Sequence, residues 1–329
     1  MPRIIGRLTK IGIGKETVRG TAVAPTYWVP VRELDFDDQT ELTSNESGYG
    51  NIVDTQDQRI TKTWGEGSYG GKIFDRSVGL ELTGVFGQSP TSVQRASSGV
   101  YDHTYTMANN NNHQSLTVAV AEDNYSGRFP LGVVNTWTLE AELGDYVRRT
   151  MSLITKKSAS STETPAYTDE VEFIPKHMSV KFAAAGANDA TLTAATAAKV
   201  RAFTLEINKN AVDNQVFGST DLDNVVNRQV SISGSFEVYY DDRTYHTLAA
   251  NATFQSIRVE MLNTDVTIGT SHNPALRFDL SNVSLAWPER GFDNNDITTL
   301  TVNYTGMLNI ATGSAITARL TNAFAGTNY

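Results

Sequence analysis

Residues 11–31, IGIGKETVRGTAVAPTYWVPV, hold the most suggestive chemistry in the chain: glycines, then Gly14-Lys15, then Thr17. A phosphate-binding loop of the form G-x-x-x-x-G-K-[ST] cradles phosphate with backbone amides and a lysine, and its hydroxyl reaches a magnesium ion. Here the first glycine of that pattern falls on Thr9 and the hydroxyl position on Glu16. The flanks fail too, because Gly20 and Pro25 follow where a helix is required. The stretch reads instead as an irregular N-terminal arm, with glycines that permit close backbone approach or positive φ.

Other catalytic patterns are equally poor. The five histidines (His103, His113, His177, His246 and His272) include no pair at metal-ligand spacing. No G-x-S-x-G elbow is present for a serine nucleophile. The Asp- and Asn-rich runs DLDNVVN and FDNNDIT lack the glycine and closing glutamate of a calcium loop, and read as turn chemistry. The densest acidic run, RELDFDDQTEL at 32–42, alternates. Leu34 and Phe36 fall on one face, Glu33, Asp35 and Asp37 on the other, which describes a strand with one polar side. No enzyme activity, metal or cofactor is expected.

Composition narrows the class further. The 329 residues carry 27 basic and 36 acidic side chains, a net charge of −9, with no basic patch of the kind that grips nucleic-acid backbone. Cysteine is absent, which excludes disulfides and thiolate metal sites. No apolar run approaches the roughly 18 residues of a membrane span, and no signal peptide is visible, so cytoplasmic synthesis is expected.

The elements that position these residues are mostly strands. Residues 202–207, 230–240 and 298–308 alternate apolar and polar side chains, as do 115–122 and 135–143. Only residues 74–86 and 241–251 have helical spacing, with Asp75 and Asp241 or Asp242 as expected N-caps. Both helices begin near Asp-Arg-[Ser/Thr], and each is followed by a strand opening Gln-Ser, at 114 and at 255. The order of features repeats: strand, polar loop (about 38–60, then 208–227), strand, helix, Gln-Ser strand, closing pair. The first half adds about 25 residues between helix and Gln-Ser strand, and the Ser/Thr-rich run 158–170 links the halves. The expected fold is all-β with short helices: two tandem β-sandwich or barrel units with one flanking helix each, in domains 1–165 (with the arm) and 166–329.

The opening stretch also resembles the N-terminus of tail tube (major tail) proteins of long-tailed, non-contractile bacteriophages. The resemblance rests on Gly12, Gly14, Glu16, Gly20, Thr21, Ala22 and Pro25. It implies a structural virion protein whose subunits form rings with sheets joined between neighbours, the rings stacking into a conduit for double-stranded DNA in genome ejection. It also implies further tail partners: tape measure, tail terminator and tail tip proteins. The N-terminal arm would then reach the next ring, and its removal with residues 1–25 should leave a folded protein unable to polymerise. Two units per chain imply trimeric, pseudo-hexameric rings; one unit implies hexamers. Glu33, Asp35 and Asp37, with Glu206 and Asn208 on the matching strand, are the expected lumen-facing residues. The alternative is a carbohydrate-binding or adhesin β-sandwich, which needs an aromatic platform from Trp28, Trp64, Trp137 or Trp287.

Overall fold

The computed structural model describes residues 3, 5–95, 98–326 and 329. After a 3-10 turn at Gly6–Leu8, the first half supplies β1 (Lys10–Lys15), β2 (Tyr27–Val29), β3 (Glu33–Asn45), β4 (Asp57–Lys72), α1 (Ser77–Phe86), β5 (Thr91–Gln94), β6 (Tyr101–Thr106), β7 (Leu116–Ala121), β8 (Ser126–Glu142), β9 (Arg148–Thr155) and β10 (Ala159–Ser160). The second half supplies β11 (Met178–Ala184), α2 (Asp189–Ala194), β12 (Ala197–Ala198), β13 (Val200–Asn208), β14 (Val212–Asn214), β15 (Asn224–Val226) and β16 (Ser231–Tyr239). It continues with α3 (Thr244–Ala250), β17 (Gln255–Leu262), β18 (Ala275–Leu285), β19 (Glu289–Gly291), β20 (Thr299–Gly306) and β21 (Ile316–Asn322). The fold is all-β with short helices, and the described strands form large open sheets rather than a closed barrel.

The two halves share one pairing order. In the first, antiparallel neighbours run β1-β7-β8-β9-β4-β3. In the second they run β11-β17-β18-β20-β16-β13. Each half also has a ladder irregularity near its Gln-Ser pair, between Leu116 and Val118 in β7–β8 and between Gln255 and Ile257 in β17–β18. The halves are fused twice. β8 carries β9 on one edge and β13 on the other. The insertion of the first half forms β5 and β6, and β6 leaves its own half to pair with β21.

Between the layers lies one continuous apolar core, with Trp137 packed on Phe278 at 5.5 Å between ring centroids. Every residue of α1 is buried. Its Glu81 forms an ion pair with Arg149 at 2.8 Å, both side chains almost wholly excluded from water. Burial raises the Glu81 pKa while the guanidinium pulls it back. The expected Asp75 cap does not form. The Ser77 amide and hydroxyl donate instead to Glu170 of the linker, both at 2.8 Å, and Asp75 accepts from the Val171 amide. The linker thus caps the helix and lies along the first half, where Glu163 also pairs with Arg128. At α3 the N-cap position falls on Arg243 rather than on Asp241 or Asp242, and Asp242 just before it accepts from the Thr244 amide at 2.8 Å in an i, i+2 turn.

Two expectations need correction. The N-terminal stretch is not irregular: β1 runs between β2 and β7, with Ile11 and Ile13 fully buried. Its glycines provide close approach rather than positive φ, since a Cβ at Gly12 would meet Pro25 at 2.7 Å and one at Gly14 the Ala24 carbonyl at 2.6 Å. Gly20 does hold a positive φ, +77°. Glu16, only 3% exposed, is a hub. It accepts from the Gly20 and Leu131 amides at 2.7 Å, from Ser115 Oγ at 2.5 Å and from Thr117 Oγ1 at 3.0 Å, locking β1 to β7 and β8. Thr21 lies exposed on the loop that follows, which ends at half-buried Pro25.

The second correction concerns residues 38–60. This run is a long hairpin in which β3 and β4 stay paired out to Asn45 and Asp57. Both of its faces meet solvent, so no apolar period marks it as strand. Its counterpart in the second half folds back as the β14–β15 hairpin. Leu222 and Val225 there pack on Leu131 and Val133, and Asp213 forms an ion pair with Lys62.

Candidate functional site: a polar sheet face with two open edges

The shared order and the β8–β13 junction build one eight-stranded sheet, β3-β4-β9-β8-β13-β16-β20-β18. A single register row crosses all of it: Glu33, Gly70, Thr150, Thr138, Glu206, Ser233, Thr305 and Ser284. The next residues along these strands form a second row, Leu34, Tyr69, Met151, Trp137, Ile207, Ile232, Gly306 and Val283. Successive side chains of a strand point to opposite faces. The first row therefore covers a polar face and the second seals the core.

All five acidic or amide residues singled out in β3 and β13 share that polar face. Asp35 leads a parallel row through Ser68, Ser152 and Thr136 to Asn208, and Asp37 sits opposite Glu66. Glu33, Asp35 and Asp37 are exposed, Glu206 and Asn208 half-buried. Glu140 and Glu237 extend the acidic character across the β8–β13 junction. The cations on this face are neutralised locally: Lys72 is paired with Glu172 at 2.8 Å, Arg148 is paired with Asp145, and Arg201 donates to Glu237 at 2.7 Å. What remains is a surface of hydroxyls and carboxylates with no free positive charge among the described residues of those strands. Such a surface offers phosphates no free cationic partner.

The sequence missed how far this face extends. The Ser and Thr residues of β9, β16 and β20 were legible as polar sides of single strands, but only the ladders join them into one sheet. It also missed α2, whose Asp189 meets Arg258 of β17 at 2.6 Å and Arg277 of β18 at 2.9 Å.

Each outer edge of the eight-stranded sheet has an open stretch, although β18 itself pairs with β17 as far as Val283. Among the described residues β3 pairs only with β4, and residues 286–292 beyond β18 pair only with β20. Exposed apolar side chains sit at the second edge: Trp287 is 59% and Phe292 74% accessible.

No group of three or more His, Cys, Asp or Glu with metal-holding geometry occurs among the described residues, and none of the described helices is long and apolar enough to cross a membrane. The four tryptophans do not converge. Trp28 packs on Ala119 and Ala121, Trp64 beside the Leu222 cluster, Trp137 on Phe278, and Trp287 against His246.

Comparison with known proteins agrees with this architecture. A protein-family model described as "Phage tail tube protein" matches residues 6–306. None of the curated proteins matches the chain.

Proposed function

Because the chain belongs to the phage tail tube protein family, we propose that it is a structural, non-enzymatic subunit of the virion tail that assembles with copies of itself into stacked rings. The stacked rings form the conduit through which double-stranded DNA passes in genome ejection. The observation that carries this reading is the unbroken polar row across eight strands, with an unpaired stretch at each outer edge: β3 on one side and residues 286–292 on the other. Unpaired edges are an aggregation liability unless something completes them, and a head-to-tail contact that closes gives a ring.

Units 1–165 and 166–329 each contribute four strands to the wall, so three chains supply 24. Strands about 4.8 Å apart and tilted about 40° then give a backbone diameter of about 48 Å. Side chains about 5 Å deep on each wall leave a bore of about 38 Å, wide enough for a duplex. The polar face lines this bore, with Glu33, Asp35, Asp37, Glu206 and Asn208 toward the DNA. At physiological salt their repulsion acts within about 8 Å of the wall, enough to keep phosphates from binding as the duplex slides. The tip of the β3–β4 hairpin, with exposed Tyr49, Ile52 and Val53, is the element that reaches the adjacent ring, together with the loop after β1. Tape measure, tail terminator and tail tip proteins are the partners this role requires.

Negative-stain microscopy of the purified protein tests the reading. Rings or tubes are expected; monodisperse monomers at every concentration and ionic strength would count against it. The carbohydrate-binding alternative has no aromatic platform to support it.

A further inference from the structure

The internal repeat contains a worked example of how one unit joins the next, and this allows the contact between chains to be written in register. The inference rests on the tube reading. Lys72 and Tyr239 close equivalent strands, and two residues before them Gly70 and Glu237 pair with Glu33 and Ala202 respectively. Residues 33–39 of β3 therefore correspond to residues 202–208 of β13. On the other side, Arg148 pairs with Lys72 and Thr299 with Tyr239, so β9 corresponds to β20. Thr136 faces Ser152, and the equivalent of Ser152 is Asn303, whose carbonyl accepts the Ala286 amide at 2.8 Å. Ala286 thus stands where Thr136 stands, and Trp287 where Trp137 stands.

The comparison exposes one difference. Trp137 is fully buried, and its strand carries β13 on its far edge. Trp287 packs on His246 of α3 but is 59% exposed, and no described strand lies on its far edge.

We propose that residues 33–39 of one copy of this chain pair antiparallel with residues 286–292 of the next, repeating between chains the β8–β13 junction found within each chain. Within the chain Asn208 faces Thr136 and Thr204 faces Glu140. Between chains Gln39 then faces Ala286, and Asp35 faces Gly291. Four residues separate the first pair on β3 and five on its partner, so a one-residue bulge falls at Pro288, where β18 ends and β19 begins. A proline and a bulge are devices that keep an edge strand from pairing indiscriminately, and here they leave one register favoured. Phe292 falls opposite Leu34, at the mouth of an open cleft that Leu34 and Phe36 line together with Arg7 and Glu122. The junction covers the two most exposed aromatic side chains of that edge.

The chain has no cysteine, so a designed pair reports without background. Chains carrying Gln39→Cys and Ala286→Cys, assembled and oxidised, should give a covalent ladder on a denaturing gel that ends at the number of chains in a ring, three. Opposed antiparallel residues lie within disulfide range. Ser44→Cys with Ala286→Cys, five residues further along β3, should give no ladder. Tubes in which the first pair fails to crosslink, or the second crosslinks equally well, overturn the junction while leaving the tube reading intact. Failure of the unsubstituted chain to form rings or tubes strikes the tube reading instead. Hydrogen exchange on unsubstituted protein provides a second readout that needs no variant. The amides of 33–39 and 289–292 should gain protection on assembly, and unchanged exchange there contradicts the proposal.

Discussion

At the scale of single residues, Glu16 and Lys209 set the terms of stability. Glu16→Ala leaves two amides and two hydroxyls without their acceptor, and hydrogen bonds to a charged group are the strong ones. The expected loss is about 3–5 kcal/mol in urea denaturation, with Glu16→Gln losing less because it keeps one acceptor oxygen. Lys209 is wholly buried and donates to the Gly84 carbonyl at 2.7 Å, joining the second half of the chain to the end of α1. Burial, and then the nearby charge of Arg19, lowers its pKa to about 7 from 10.5. The unfolded chain binds more protons between those values, so this site makes stability rise with pH from about 7 to about 10.5. His113 works in a lower window. Its Nε2 lies 3.0 Å from the Ala108 carbonyl, its buried Nδ1 has no partner, and burial followed by Lys209 lowers its pKa to about 4 from 6.5. Its contribution is therefore lost as pH falls from about 6.5 to about 4. Urea midpoints across pH should show both slopes, with Lys209→Met removing the upper one and His113→Gln the lower. A flat profile between pH 7 and 9 in the unsubstituted chain contradicts this account of Lys209.

At the scale of elements, the N-terminus divides at Thr9. The 3-10 turn and the residues just around it are mostly exposed, whereas β1 is core. Removal of residues 1–8 should leave the melting temperature nearly unchanged. Removal of 1–25 takes Ile11, Ile13 and Glu16 and should abolish cooperative unfolding; a cooperatively folded 1–25 deletion contradicts the role given to β1. This reverses the simple picture of a dispensable arm, and the reason it was not legible is physical. In β1 the residues between the isoleucines are glycines, whose missing side chains leave no polar–apolar contrast to read. A single buried carboxylate looks, in a sequence, like any surface glutamate. The strands with one wet face, such as β16 and β20, were plain from alternation, as were α1 and α3. The hairpin of β3 and β4 was hidden because both of its sides are wet. The shared pairing order of the halves was legible in two small coincidences, Asp-Arg-[Ser/Thr] and Gln-Ser, which stand at a helix start and close to a ladder slip in both halves. The registers that carry the candidate site were not legible, since they join residues as distant as Glu33 and Ser284.

At the scale of the whole molecule, the proposed function resides in a surface rather than a pocket. In that proposal a wall of hydroxyls and carboxylates serves because it holds no free cation for phosphates, and this can be inverted. Charge reversal at Glu140 and Glu206 to lysine, both outside the proposed contact between chains, should leave tubes able to assemble but make them retain duplex DNA, with retention falling steeply as salt rises through counterion release. Equal DNA retention by reversed and unsubstituted tubes contradicts the placing of these residues on the bore.

The most direct test of the central claim is a cryo-electron microscopy reconstruction of the assembled tube. The account predicts threefold rings with pseudo-sixfold walls of 24 strands, eight from each chain, and the side chains of Glu33, Asp35, Asp37 and Glu206 pointing into the bore. A map with six chains per ring, or with those carboxylates on the outer surface and the β3 edge unpaired, contradicts it.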